Sequence, residues 1–307
     1  NGRGIATVGS KIFAYKSVII LWLVCVMMDG CAATKQISDD IMGARPALKK
    51  KIAILPAITN QPISDLHELV PAVVANFMEQ NCEAVLIVET PAVNDALTRV
   101  TADGGPIDRL ALAEVGRKHG LSAVIQPQID NIDLFKRKEG IWGFRDIHTF
   151  LHVTLRLRTY DVETTALHFD EVIGEERVLP QTMVADDINP LEIEDKLTRS
   201  LLFEVVDKAT ERLCESLTDA PWKGYIIDEN DGSFRVSAGQ DVGLKVGDEL
   251  DVFAMTDPLQ GVNQQIYLIP GQKIGEVRLE RVLEHHSDAT KLSGDNLEES
   301  ACLMLKR

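Results

Sequence analysis

Histidines, acids and cysteines are the residues of this chain that could do chemistry, and their spacing decides which chemistry that would be. His148 and His152 stand four apart. On a helix that spacing seats a metal ion on one face. Here the neighbours alternate as in a strand, which puts both imidazoles on one side but about 13 Å apart. His285-His286 lie beside Glu284 and Asp288 and read as a solvated strand end, and His168 reads as a sheet residue. Paired carboxylates would suit glycoside hydrolysis, but the many acids show no pairing along the chain. A nucleophile elbow is absent, and Gly104-Gly105-Pro106 is a loop rather than a phosphate cradle. The expectation is a chain with no catalytic residue, cofactor, metal or small-molecule substrate.

The five cysteines divide into two groups. Cys82, Cys214 and Cys302 lie far apart and make neither a disulfide framework nor a zinc site. They are expected as buried single thiols, with one bridge among them left open. Cys25 and Cys31 belong to the N-terminal region, where eleven unbroken apolar residues run from Val18 to Met28. A spanning helix needs about 20 such residues, whereas an export signal needs fewer. Lys11 and Lys16 supply its positive flank. Met28-Asp29-Gly30-Cys31 then resembles a bacterial lipobox, with Asp29 departing from the small residue usual there. The resemblance implies cleavage after residue 30 and a lipid on Cys31. Ala32, where an acid would mean retention in the inner membrane, implies the periplasmic face of the outer membrane. An ordinary cleaved signal and an internal apolar segment are the alternatives.

Charge narrows the partners. The chain has 307 residues, 32 basic and 47 acidic, for a net charge of −15. That balance argues against nucleic acid, whose binding rests on neutralising phosphates. It also argues against peripheral docking on anionic lipid through a basic patch. It suits partners with neutral or basic surfaces. The expected partners are a membrane, reached through the N-terminal lipid, and an envelope protein or further copies of the chain.

The elements that must position any site follow from periodicity. Residues 1–30 read as the signal and 31–48 as a polar tether. Ile52 to Leu55 begin a buried strand, and Asp65 to Gln80 carry apolar residues at helical spacing, with Ser64 as a plausible cap. Ala84 to Val88 form another strand. Pro91 leads a short helix through Leu97, and Leu110 to His119 form one closed by Gly120. Ser122 to Ile129 is a strand. Thr149 to Tyr160 alternates, with Leu151, Val153, Leu155 and Leu157 on one face and His152, Thr154, Arg156 and Arg158 on the other. Ala166 to Val178 returns as its hairpin partner. Asn189-Pro190 opens the longest helix, in which Ile193, Leu197, Leu201, Val205, Ala209, Leu213 and Leu217 recur every four residues. The order predicts an α/β sandwich with a mixed sheet over 49–221. From 222 to 307 only strand signals remain, predicting a small all-β, barrel-like domain of five or six strands.

Two resemblances accompany this reading. Lys51-Ile52-Ala53-Ile54-Leu55-Pro56, the Ala113 to Val124 helix–Gly–strand step, and the hairpin followed by a long helix resemble the TolB amino-terminal domain and the curli secretion channel lipoprotein. Asp241 to Phe253, with Gly243 and Gly247 placed for tight turns, resembles the carboxy-terminal domain of flagellar assembly protein T. Together they imply a non-enzymatic envelope protein acting as an interaction or assembly scaffold, for a flagellar or secretion ring. The alternatives are a pore-forming secretion lipoprotein and a regulator of a cell-wall synthase. The surface feature expected to make contacts is Lys136 to Phe144, at a hairpin tip. Its interaction residues would be Lys136, Arg137, Trp142 and Phe144. Charges at Lys136, Arg137, Lys138, Glu139, Arg145 and Asp146 bar that hairpin from spanning a bilayer.

Overall fold

The computed structural model describes residues 46–60, 65–101, 107–141, 143–180, 195–230, 232–261, 266–295, 297 and 300–306. The expected signal and most of the tether, Cys31 included, lie outside the described residues, as do Ser64, Trp142, Asn189-Pro190 and Ile193. Residues 48–307 form one compact unit. Among the described residues no helix is long and apolar enough to cross a membrane.

Strand β1 (Lys50–Ile54) is flanked by parallel partners, β3 (Val85–Ile87) at the sheet edge and β4 (Ala123–Ile141) inward. The short β2 (Ile58–Thr59) also pairs with β4 in parallel. Then β5 (Phe144–Asp161) and β6 (Leu167–Val178) extend the sheet antiparallel. The result is a mixed six-stranded sheet in the order β3-β1-β4-β5-β6.

Alternation along β1 and β4 sends side chains to two cores. Ile52 and Ile125 join one with helices α1 (Leu66–Asn81) and α4 (Asp195–Asp219), which contribute Val70, Val74, Leu201 and Val205. Ala53, Leu55 and Val124 join another with α2 (Pro91–Thr101) and α3 (Arg109–His119), through Val93, Leu97 and Leu112. Full burial of such an aliphatic side chain contributes about 1.5–3 kcal/mol. On β5, Leu151, Val153, Leu155 and Leu157 are all buried beneath α1 and α4, while His152 to Arg158 on the other face stay partly exposed.

Local chemistry explains the helix ends. Asp108 caps α3 by accepting from the amides of Leu110 and Ala111. Gly120 closes it at φ 72°, and a Cβ there would lie 2.6 Å from that of Ser237. Pro71 sits inside α1 and has no amide to give the His67 carbonyl; the Ala57 amide takes that place at 3.0 Å.

The remaining strands are β7 (Gly224–Asn230), β8 (Ser233–Val236), β9 (Glu249–Phe253), β10 (Leu259–Gln260), β11 (Ile266–Tyr267), β12 (Lys273–Val282), β13 (Ser287–Gly294) and β14 (Cys302–Leu305). Six of them close an antiparallel barrel in the order β12-β13-β8-β7-β14-β9, and β10-β11 form a separate ribbon. Gly243 and Gly247 take φ of 94° and 88° in the turns before β9. Barrel and sheet share a core, since Tyr225 and Cys302 pack with the α2–α3 cluster.

The expectation of single thiols needs correction. Cys82, just after α1, is bonded to Cys214 of α4, and Cys302 remains as a buried free thiol. A gap of 132 residues hid the pair, because only the packing of α1 against α4 brings the two sulfurs together.

Candidate functional site

Strands β4 and β5 pair without interruption from Ala123↔Asp161 to Ile141↔Phe144, apart from one bulge between Ile129 and Asn131. Their neighbours stop earlier. β2 accompanies β4 only to Ile129, and on the other side the chain accompanies β5 through the Phe150↔Val178 pair to buried Thr149, whose carbonyl accepts from the Leu179 amide at 2.8 Å. The five pairs from Arg137↔His148 to Ile141↔Phe144 therefore leave the sheet as a two-stranded ribbon, with Lys136↔Thr149 at its base. At strand rise it projects about 17 Å.

Aromatic and ionic contacts brace the base of the ribbon. Phe135 stacks on Phe150 with ring centroids 5.4 Å apart. The Arg137 guanidinium lies 4.0 Å from the Phe150 centroid. It donates to both carboxylate oxygens of Glu176, at 3.0 and 2.6 Å, and to Glu139 at 3.0 and 2.7 Å. Hydrogen bonding to this guanidinium holds the Glu176 carboxyl below its ordinary range, and the two carboxylates raise Arg137 in turn. Arg137 thus ties the ribbon to β6.

Register separates the ribbon into two faces. One face carries Arg137, Glu139, Asp146 and His148, and ends in the Ile141–Phe144 pair. The other carries Lys138, Arg145 and Ile147, with two cations and no acid, and Lys136 and Thr149 stand at its base. The apolar end stands in water: Ile141 is 81% exposed, Phe144 84% and Ile147 56%. Gly140, at φ 123°, has no room for a side chain, because a Cβ would meet the Phe144 carbonyl oxygen at 2.2 Å. Of the four expected contact residues, the structure places Lys136, Arg137 and Phe144 on this ribbon, and Trp142 lies outside the described residues.

The other candidates occupy different places. His148 and His152 share a face of β5, and His152 lies edge-on to Phe135 and 3.4 Å from the Thr154 hydroxyl. His285 Nδ1 lies 3.0 Å from Asp241 Oδ2. Among the described residues, no three His, Cys, Asp or Glu side chains gather as a metal site.

Two buried polar groups between sheet and barrel escaped the sequence reading. Lys51 Nζ reaches Asp241 at 3.1 Å and donates to the carbonyls of Ser237 and His285. Arg117 donates to the Glu163 carbonyl at 2.9 Å, and its guanidinium lies 3.8 Å from the Glu163 carboxylate. Beside Lys51, a 710 Å³ cleft between strand β3 and the barrel is lined by groups of both signs, among them Lys118, Arg235, Glu89 and Glu284. The only sequence signal for these groups was a lysine run entering a buried strand.

No family model and no curated protein matches the chain. Solved structures do resemble part of it. The hypothetical protein CT253 from Chlamydia trachomatis is 11% identical, with 56% of this chain and 99% of that one covered, at a TM-score of 0.39. Lipoprotein GNA1162 from Neisseria meningitidis is 13% identical over 54% of this chain and 99% of its own, at 0.32. The LpoB C-terminal domain from Salmonella enterica is 11% identical over 45% and 92%, at 0.27. Likeness at this level assigns no function.

Proposed function

We propose that this chain is a non-enzymatic, lipid-anchored protein of the bacterial envelope that acts as an interaction or assembly scaffold. In this reading it serves a flagellar or secretion ring at the periplasmic face of the outer membrane. The observation that carries it is the braced ribbon, which presents Ile141 and Phe144 to the surroundings at its end and Ile147 on its other face further back. Exposed apolar groups held out by a fold mark contact sites. The Cys82–Cys214 bridge is in keeping with an oxidising compartment outside the cytoplasm. The apolar run before Cys31 is in keeping with export and lipidation. The non-enzymatic part rests on the lack of any catalytic motif in the sequence, and the ring on the resemblances to the TolB amino-terminal domain and to flagellar assembly protein T.

A membrane-spanning pore suits the ribbon poorly. Whichever face met lipid would carry charges, either Lys136, Lys138 and Arg145 or Arg137, Glu139 and Asp146, and a charge at the midplane of a barrel wall costs about 2–4 kcal/mol for Arg or Lys.

The reading is tested by crosslinking and pull-down from membranes with the intact chain, using Cys31→Ala as control. Capture of an envelope-machine component, lost with the anchor, supports it. Failure to capture one, with Cys31→Ala fractionating with membranes like the parent chain, overturns it.

A further inference from the structure

We propose that the end of the β4–β5 ribbon is a membrane contact that seats in an anionic phospholipid surface. This rests on the scaffold reading and names what its projecting element touches.

Charge supplies the first argument. The net charge of −15 opposes approach of the whole molecule to anionic lipid. Opposition of that kind is screened over a Debye length of about 8 Å at physiological salt. The ribbon reaches about 17 Å beyond the sheet, so its end meets a surface while the acidic body stands about two screening lengths away. Toward that end, Lys138 and Arg145 share one face without an acid. Glu139 and Asp146 face the other way, and Glu139 is already paired with Arg137.

Depth supplies the second. Ile141 and Phe144 pair at the extreme end, with Arg145 adjacent to Phe144 in sequence and Lys138 about 10 Å behind Ile141 along the strand. An apolar end followed by long cationic side chains matches a headgroup layer, where an aromatic ring sits at the boundary and Lys stems carry their ammonium groups back to the phosphates.

Shape supplies the third. A stable protein partner would need about 800 Å² from each side. The tapering end of two strands offers a narrow convex surface, and a fluid lipid layer closes around such a shape without a matching groove.

The test is hydrogen–deuterium exchange on the full chain, with vesicles of phosphatidylcholine alone or with phosphatidylglycerol at about three to one. The readout is confined to peptides covering residues 136–149, so attachment through the N-terminal apolar segment does not register. The expected result is slower exchange there with phosphatidylglycerol vesicles only. The Lys138→Glu, Arg145→Glu double variant should lower the vesicle partition of the ribbon at least about twenty-five-fold, since each cation near such a surface is worth about fivefold. The Ile141→Ser, Phe144→Ser double variant should abolish the protection by a separate route. Equal protection on neutral vesicles overturns the proposal, and so does an unprotected ribbon on a chain that otherwise binds vesicles. Protection of the ribbon by a captured protein instead of by vesicles overturns it and leaves the scaffold reading standing. Ribbon protection with no partner in the pull-down does the reverse.

Discussion

At the scale of single residues, the polar groups sealed between sheet and barrel set the pH response. Glu163 is buried, and burial raises its carboxyl above the ordinary 4.5 despite Arg117 and Lys223 nearby. A carboxyl raised in the fold holds its proton longer there than in the unfolded chain. Stability from this group is therefore lost as pH rises from 4.5 through its folded value. Asp161 works in the opposite sense. Burial opposes its charge, but Lys223 at 2.7 Å and Thr164 prevail and lower it, so its contribution is lost as pH falls below 3.8. Glu163→Gln should flatten the decline above pH 4.5 in urea titrations run across pH, and an unchanged slope would remove Glu163 as its source. Arg117→Ala leaves the Glu163 carbonyl without its buried donor and its carboxyl beside one cation fewer, and should cost about 1–3 kcal/mol, read in the same titrations. These roles were not legible in the chain. Arg117 follows Gly116 on a helix and Glu163 lies in a turn, 46 residues apart, and nothing local marks them as neighbours.

At the scale of elements, periodicity was a good guide to what each segment is and a poor guide to where it stops. The alternation from Thr149 to Tyr160 and the return from Ala166 to Val178 correspond to β5 and β6. The strand expected at Ser122 to Ile129 instead runs on to Ile141, because its polar second half is held by pairing with β5 rather than by burial. The helix expected to end at Leu97 continues to Thr101. The clasp between α1 and α4 carries the prediction at this scale. Closing a loop of 132 residues removes chain entropy worth about 5 kcal/mol on the simple polymer estimate. Reduction, or the Cys82→Ala, Cys214→Ala pair, should therefore lower the unfolding free energy by about 2–5 kcal/mol. Denaturant midpoints with and without reductant measure this. Unchanged midpoints in the double variant would mean that the helices hold together without the bond.

At the scale of the whole molecule, sheet and barrel behave as one body in the packing. Leu48 and Leu86 reach the barrel core, Tyr225 and Cys302 reach the sheet core, and Lys51 and Lys223 cross between them. One cooperative thermal transition is expected for residues 48–307, with calorimetric and van't Hoff enthalpies in agreement. Two separated transitions would show that the lobes are stable alone. A rigid body matters for function, because a ribbon can present its end at a defined distance only if its base does not move.

The sequence by itself determined the features that depend on near neighbours. Helical and strand periods, the Gly120 stop, the turn glycines at Gly243 and Gly247, the hairpin tip and the general nature of both lobes all follow from residues a few positions apart. Only the tertiary structure decided that Cys82 meets Cys214, that Lys51 and Arg117 are buried between the lobes, and that Arg137 is a strut. It also decided that Lys138 and Arg145 fall on one face of a ribbon held clear of an acidic body. Those outcomes depend on register and on packing between distant segments, and along the chain the same residues are simply mixed charges in a polar stretch.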